Sequence, residues 1–257
     1  LEVNVRKATA TCLGLILCLS AIAAQEKVSI AAAANISSVA PALSESFAKK
    51  YPAYRAEFTF GASGALVTQL MNGAPFQVFL SADTSFPQKL VDAGETEGPV
   101  KVYAVGALIF LTTKKLDLSK GLAVLADPSV AQFANCNPET APYGRAAQEA
   151  LRKAGLFDEV KSKLVLAQTV TQALQFTLTS ADAGFVNKSA LYSKEVRPYD
   201  KEGEYWFAVD PSLYSPIEQG FVVMKGSGAD PAVSAFARFL TSPEALAVFA
   251  SFGYGSP

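Results

Sequence analysis

From Lys27 onward the chain alternates short apolar runs of strand length with longer amphipathic segments, and this alternation limits the fold more than any other feature of the sequence. Such a pattern builds an α/β fold with mainly parallel strands. Residues 27–31 read as the first strand, and 37–50 as a helix with Val39, Leu43 and Phe47 on one face and Pro52 just beyond its end. Tyr54, Ala56, Phe58 and Phe60 then alternate with Arg55, Glu57 and Thr59 as a half-buried strand that runs into Gly61-Ala62-Ser63-Gly64 and a helix over 65–71. Residues 76–80 form a third strand, and Asp83 or Thr84 caps the helix that ends near Gly94. Residues 105–112 are expected as one long apolar strand that resembles 221–224, and both are candidate crossovers. Between them lie a strand at 122–126, a helix at 143–154, a strand at 164–167, a helix from Val170 and a strand at 184–187. Asp230-Pro231 and Ser242-Pro243 open two C-terminal helices with proline near the first turn. Periodicity by itself leaves a single continuous domain as an alternative, because it does not say which strands are neighbours.

The N-terminus reads as an export signal. Arg6 and Lys7 supply a short basic region, 12–22 is an apolar run too short to span a bilayer, and small residues follow, so a signal peptide over 1–24 with cleavage near Ala23 or Ala24 is expected. A lipoprotein anchor at Cys18 is the rival, but Leu17 stands where such a site needs a small residue. No second apolar stretch of spanning length occurs over 25–257. The mature chain is therefore expected as a soluble extracytoplasmic, periplasmic protein.

Composition narrows the chemistry. The 257 residues include no histidine, which removes the commonest general base and transition-metal ligand together, so binding is favoured over catalysis and no direct protein-to-metal ligand is expected. Lys and Arg number 22 against 23 Asp and Glu; without Arg6, Lys7 and Glu2 the balance is 20 against 22, or −2, which offers no field for nucleic acid. Cys12 and Cys18 fall in the leader, leaving Cys136 without a disulfide partner and best read as a small buried hydrophobe.

Three segments share one character: a strand ends, small residues follow, and a helix begins. They are Ala32-Ala33-Ala34-Asn35, Gly61-Ala62-Ser63-Gly64 and Pro142-Tyr143-Gly144. First helical turns present unpaired N–H groups and the positive end of the dipole, so such turns can hold an anion without formal positive charge.

These segments, with Gly73-Ala74-Pro75-Phe76-Gln77-Val78-Phe79-Leu80-Ser81-Ala82-Asp83, Asp127-Pro128, the 137–147 stretch and Gln168-Thr169-Val170-Thr171-Gln172-Ala173-Leu174, resemble the periplasmic molybdate-binding proteins of the type II solute-binding fold. The resemblance covers essentially the whole mature chain. It implies a two-lobed α/β fold with the ligand cleft between lobes: 25–107 with 220–257 as the first, 108–219 as the second. It implies that Asn35 and Ser63 donate from side chain and backbone on the first lobe, that Tyr143 and Val170 donate from the second, and that Ala34 adds a contact. Asn187 stands where some members place a ligand-contacting tyrosine; here the asparagine reaches the anion, bridges through water, or does neither. Asp83 and Asp127 are read as turn and cap residues, since a carboxylate would repel a dianion.

The implied function is capture of molybdate or tungstate, without a cofactor, by a monomer that delivers it to an ABC permease and its ATPase. Sulfate or another small anion is the alternative ligand. A secreted hydrolase using Ser63 is the alternative from another class; its sequence departs from the nucleophile elbow and no histidine exists to activate the serine, although a Ser–Lys dyad stays open.

Overall fold

The computed structural model describes residues 25–257, so the expected leader over 1–24 lies outside the described residues. The first half of the chain runs β1 (Glu26–Ala33), α1 (Ala40–Lys50), β2 (Tyr54–Gly61), α2 (Ser63–Met71), β3 (Val78–Leu80), α3 (Ser85–Asp92), β4 (Lys101–Gly106) and β5 (Leu108–Thr112). It continues through β6 (Phe133–Cys136), α4 (Pro142–Lys153), α5 (Phe157–Val160), β7 (Leu164–Ala167), α6 (Val170–Thr179) and β8 (Ala183–Asn187). The chain closes with β9 (Trp206–Ala208), β10 (Ile217–Val223), α7 (Pro231–Leu240) and α8 (Pro243–Ser251).

The strands form two five-stranded sheets, in the orders β2-β1-β3-β10-β4 and β7-β6-β8-β5-β9, and each sheet with its helices makes one lobe. Within the first, β1 is parallel to β2 and β3, while β10 is antiparallel to β3 and β4. In the second, β6 is parallel to β7 and β8, while β5 is antiparallel to β8 and β9. The two strands that cross between lobes, β5 outbound and β10 inbound, are thus the ones inserted against the parallel direction. The expected return to the first lobe at residue 220 falls inside β10, whose pairing with β4 begins at Ile217 opposite Gly106.

Two expectations about strands are corrected. The run 105–112 is not one strand: Ala107 breaks it, and β4 and β5 belong to different sheets. Apolarity on both sides of the break reflects two buried strands, which hydropathy cannot tell from one. The apolar stretch 122–126 is not a strand but the end of a 3-10 segment, Leu118–Ala126, kinked at Gly121 with φ of 56°. Leu122, Val124 and Leu125 are buried there all the same, so burial was legible and the period was not.

Aromatic packing fills both lobes. Phe47 of α1 meets the Phe236 ring of α7 edge-on at 5.1 Å in the first, and Phe110 meets Phe185 at 5.8 Å in the second. Ala33, Ala34, Ala62 and Ala82, all from the first lobe, pack against the core of the second, so the lobes are closed upon each other.

Candidate functional site

The carboxyl ends of strands in both sheets lead into turns that meet at the seam between lobes, where open α/β folds place their ligands. There Ala34, Asn35, Ser63, Tyr143 and Val170 line one small cavity. None of the residues lining it carries a charge.

Helix capping explains why this cavity has donors to spare. The C-terminal helices α7 and α8 are capped by the side chains of Asp230 and Ser242. The site helices α2 and α4 instead begin at Ala62 and Ala141, which have no side-chain acceptor for the first-turn N–H groups, and the 3-10 turn Ala34–Ile36 lacks a cap as well. At α6 the Thr169 hydroxyl accepts from the Gln172 N–H at 3.1 Å and leaves that of Val170 unclaimed. The main-chain N–H groups of Asn35, Ser63, Tyr143 and Val170 therefore donate to no other group among the described residues. Ser63 adds a hydroxyl: its Oγ accepts from the Ala82 N–H at 3.1 Å, which leaves its own proton free to donate.

A buried polar network sets the side chain of Asn35. Gln219 donates from Nε2 to the carbonyls of Ala82 and Ile217, both at 3.1 Å. Carbonyls only accept, so Gln219 must turn its Oε1 toward Asn35, whose Nδ2 donates to it at 2.8 Å and to the Tyr254 hydroxyl at 3.0 Å. Both N–H bonds of the Asn35 amide are thus spent inside the protein, and its main-chain N–H is the donor left for the cavity. The Tyr254 hydroxyl donates to the Asn35 carbonyl at 3.0 Å. Tyr143 reaches the same network from the second lobe. Its hydroxyl occupies the space where a Cβ at position 106 would stand, so Gly106 is what admits it. Burial pushes the Tyr143 phenol well above its usual pKa, with Asn35 opposing the shift, and burial raises Tyr254 to about 12.

The structure does not bring Asn187 into the cavity. Its Nδ2 donates to the Ser189 Oγ at 2.6 Å and to the Asn35 carbonyl at 3.3 Å, which ties the second lobe to the first behind the site. Asp83 and Asp127 act as turn and cap residues: Asp83 accepts from the Phe86 N–H at 3.1 Å and Asp127 from the Ser129 N–H at 3.0 Å. Cys136 is fully buried, and burial raises its thiol to about 12, the environment of an inert small hydrophobe. Ser63 hydrogen-bonds no basic side chain among the described residues, so the arrangement contains no activated nucleophile.

Gln219, Ser189 and Tyr254 went unread in the sequence, and each is nearly or fully buried. The available signal was Gln219 itself, a polar residue in the same alternation as apolar Ile217 and Phe221, while Glu218 takes the exposed position of the strand Ile217–Val223.

A family profile described as bacterial extracellular solute-binding protein matches residues 28–255, nearly all of the described chain. The chain belongs to this family. Among relatives of this solute-binding protein, the molybdate-binding protein ModA of Rhodobacter capsulatus is 37% identical over 250 residues, covering 96% of each chain. ModA of Azotobacter vinelandii is 36% identical over 244 residues, or 94% of each chain. The solved periplasmic molybdate-binding protein of Azotobacter vinelandii superposes with a TM-score of 0.82 at 30% identity, covering 91% of this chain and all of that one. The two-lobed extracellular solute-binding fold thus agrees with the pair of mixed sheets and the cavity between them.

Proposed function

We propose that this solute-binding protein captures molybdate outside the cytoplasm and delivers it to an ABC permease and its ATPase. The observation that carries the reading is the convergence of four unclaimed first-turn N–H groups and the Ser63 hydroxyl, from both lobes, on an uncharged cavity. Helix ends stabilise a dianion through fixed partial charges, and a cavity without a carboxylate to accept a ligand proton favours a fully ionised anion over one that keeps a proton. In this reading Ala34, Asn35, Ser63, Tyr143 and Val170 form the ligand shell, and Asn187 supports it from behind. The 37% identity to a molybdate-binding protein over almost the whole chain supports the same ligand.

Tungstate, of the same shape and charge, is bound as well, because neutral donors sort tetrahedral dianions by size rather than by valence. The protein works as a monomer, exported by a leader over 1–24. Calorimetric titration of the ligand-stripped mature chain with molybdate, tungstate, sulfate and phosphate tests the assignment. One-to-one binding of the first two without heat from sulfate is the expected result. Silence from molybdate and tungstate would overturn the ligand while leaving the fold untouched.

A further inference from the structure

Helix α4 carries a cation, Arg145, in its first turn, where the dipole favours anions. Its compensation comes from the other lobe. The guanidinium forms an ion pair with Asp83 and lies 5.9 Å from the centre of the Phe86 ring, so its partners are all in the first lobe while its backbone is in the second. Asp83 is held in place independently of this pair: Oδ1 accepts from the Ser81 hydroxyl at 3.1 Å and the Phe86 N–H at 3.1 Å, and Oδ2 from the Ser85 hydroxyl at 2.6 Å. The other carboxylate bordering this part of the seam, Glu149, is taken by the Ser215 N–H at 2.7 Å, which leaves Asp83 to receive the guanidinium.

We propose that Arg145 and Asp83 form a closure latch that sets how long the bound anion is retained. This rests on the oxyanion-binding reading of the cavity. Opening the lobes separates the pair without unfolding either lobe, because Asp83 keeps its three contacts within the first and α4 keeps its own hydrogen bonds. Arg145 stands two residues beyond Tyr143, so the latch is made only when the N–H donors of α4 have reached the site. A contact present only in the closed state raises the closed population and with it the affinity, although neither side chain touches the ligand. The Asp83 side chain is 11% exposed and that of Arg145 is 41%, which places the pair between a surface bridge and a buried one.

The test compares Arg145→Gln, Asp83→Asn and the double variant with the wild type, using molybdate as the probe. Release is followed by stopped-flow competition, affinity by calorimetry, and the stability of the ligand-free protein by thermal denaturation. Arg145→Gln is expected to raise the release rate and Kd about threefold to tenfold. Its ligand-free unfolding midpoint should stay unchanged, Arg145→Lys should recover part of the loss, and the double variant should be no worse than Arg145→Gln. Unchanged release in Arg145→Gln, or additive losses in the double variant, would overturn the latch. Failure of the wild type to bind any oxyanion would instead bring down the functional reading on which the latch depends, a result distinguishable from the first.

Discussion

Replacing Gln219 by leucine removes three hydrogen bonds from a fully buried position while keeping nearly the same volume. The carbonyls of Ala82 and Ile217 lose the donor they share, and Asn35 Nδ2 keeps only Tyr254. A buried polar group stripped of its partner costs about 1–3 kcal/mol, and the gain from burying an apolar side chain offsets part of this, so a net loss of about 2–4 kcal/mol is expected. For a chain of this size each kcal/mol moves the unfolding midpoint by about 2–4 °C, giving a fall of about 5–12 °C for the ligand-free protein followed by circular dichroism. A second consequence separates this account from generic destabilisation. The Asn35 amide, no longer held by a fixed Oε1, stops anchoring the turn that presents the Asn35 main-chain N–H to the cavity, so molybdate affinity should drop even well below the unfolding midpoint. A variant with its midpoint within about 2 °C of the wild type and an unchanged Kd would refute the argument that Gln219 sets the orientation of Asn35.

Ser63→Ala removes the one hydroxyl that the cavity can donate, and molybdate affinity should fall about tenfold to a hundredfold, as for loss of a hydrogen bond to a charged group; calorimetry giving a Kd within twofold of wild type would exclude that role. Gly64→Ala would set a Cβ 3.1 Å from the Thr140 Cα across the seam and 2.8 Å from the Phe86 ring, and would crowd the 2.9 Å bond from the Gly64 N–H to the Thr140 carbonyl. Small-angle scattering with molybdate should then show a more open average shape than the wild type, and an identical radius of gyration would count against it. Alkaline stability follows from the phenols: burial holds Tyr103, Tyr143 and Tyr254 above their usual pKa, Tyr254 at about 12. Their neutral forms stabilise the fold fully below the unfolded value of about 10, and this is lost as pH rises toward 12. Absorbance at about 295 nm should show these tyrosines ionising only together with loss of the circular dichroism signal; free titration in the folded state would contradict their burial.

Much of this protein was determined by local sequence. Most of the strand and helix order followed from periodicity, although β6, α5 and β9 went unread; the helix starts at Pro231 and Pro243 followed from proline at the first turn, and the turns that line the cavity from small residues placed between strand and helix. These are properties of neighbouring residues, so a linear reading reaches them. Residues 105–112 illustrate its limit: an apolar run looks the same whether it is one strand or two, and only the pairing of β4 with β10 and of β5 with β8 divides it at Ala107 between two lobes. Asn35 illustrates another. Its position at the cavity was legible, but which of its groups serves the cavity depends on Gln219 and Tyr254, which lie 184 and 219 residues away in the chain. The Arg145–Asp83 pair likewise joins residues that no local pattern connects. Hydrogen-bond direction, lobe assignment and contacts across the seam depend on which distant groups share a buried space, and tertiary packing alone decides that.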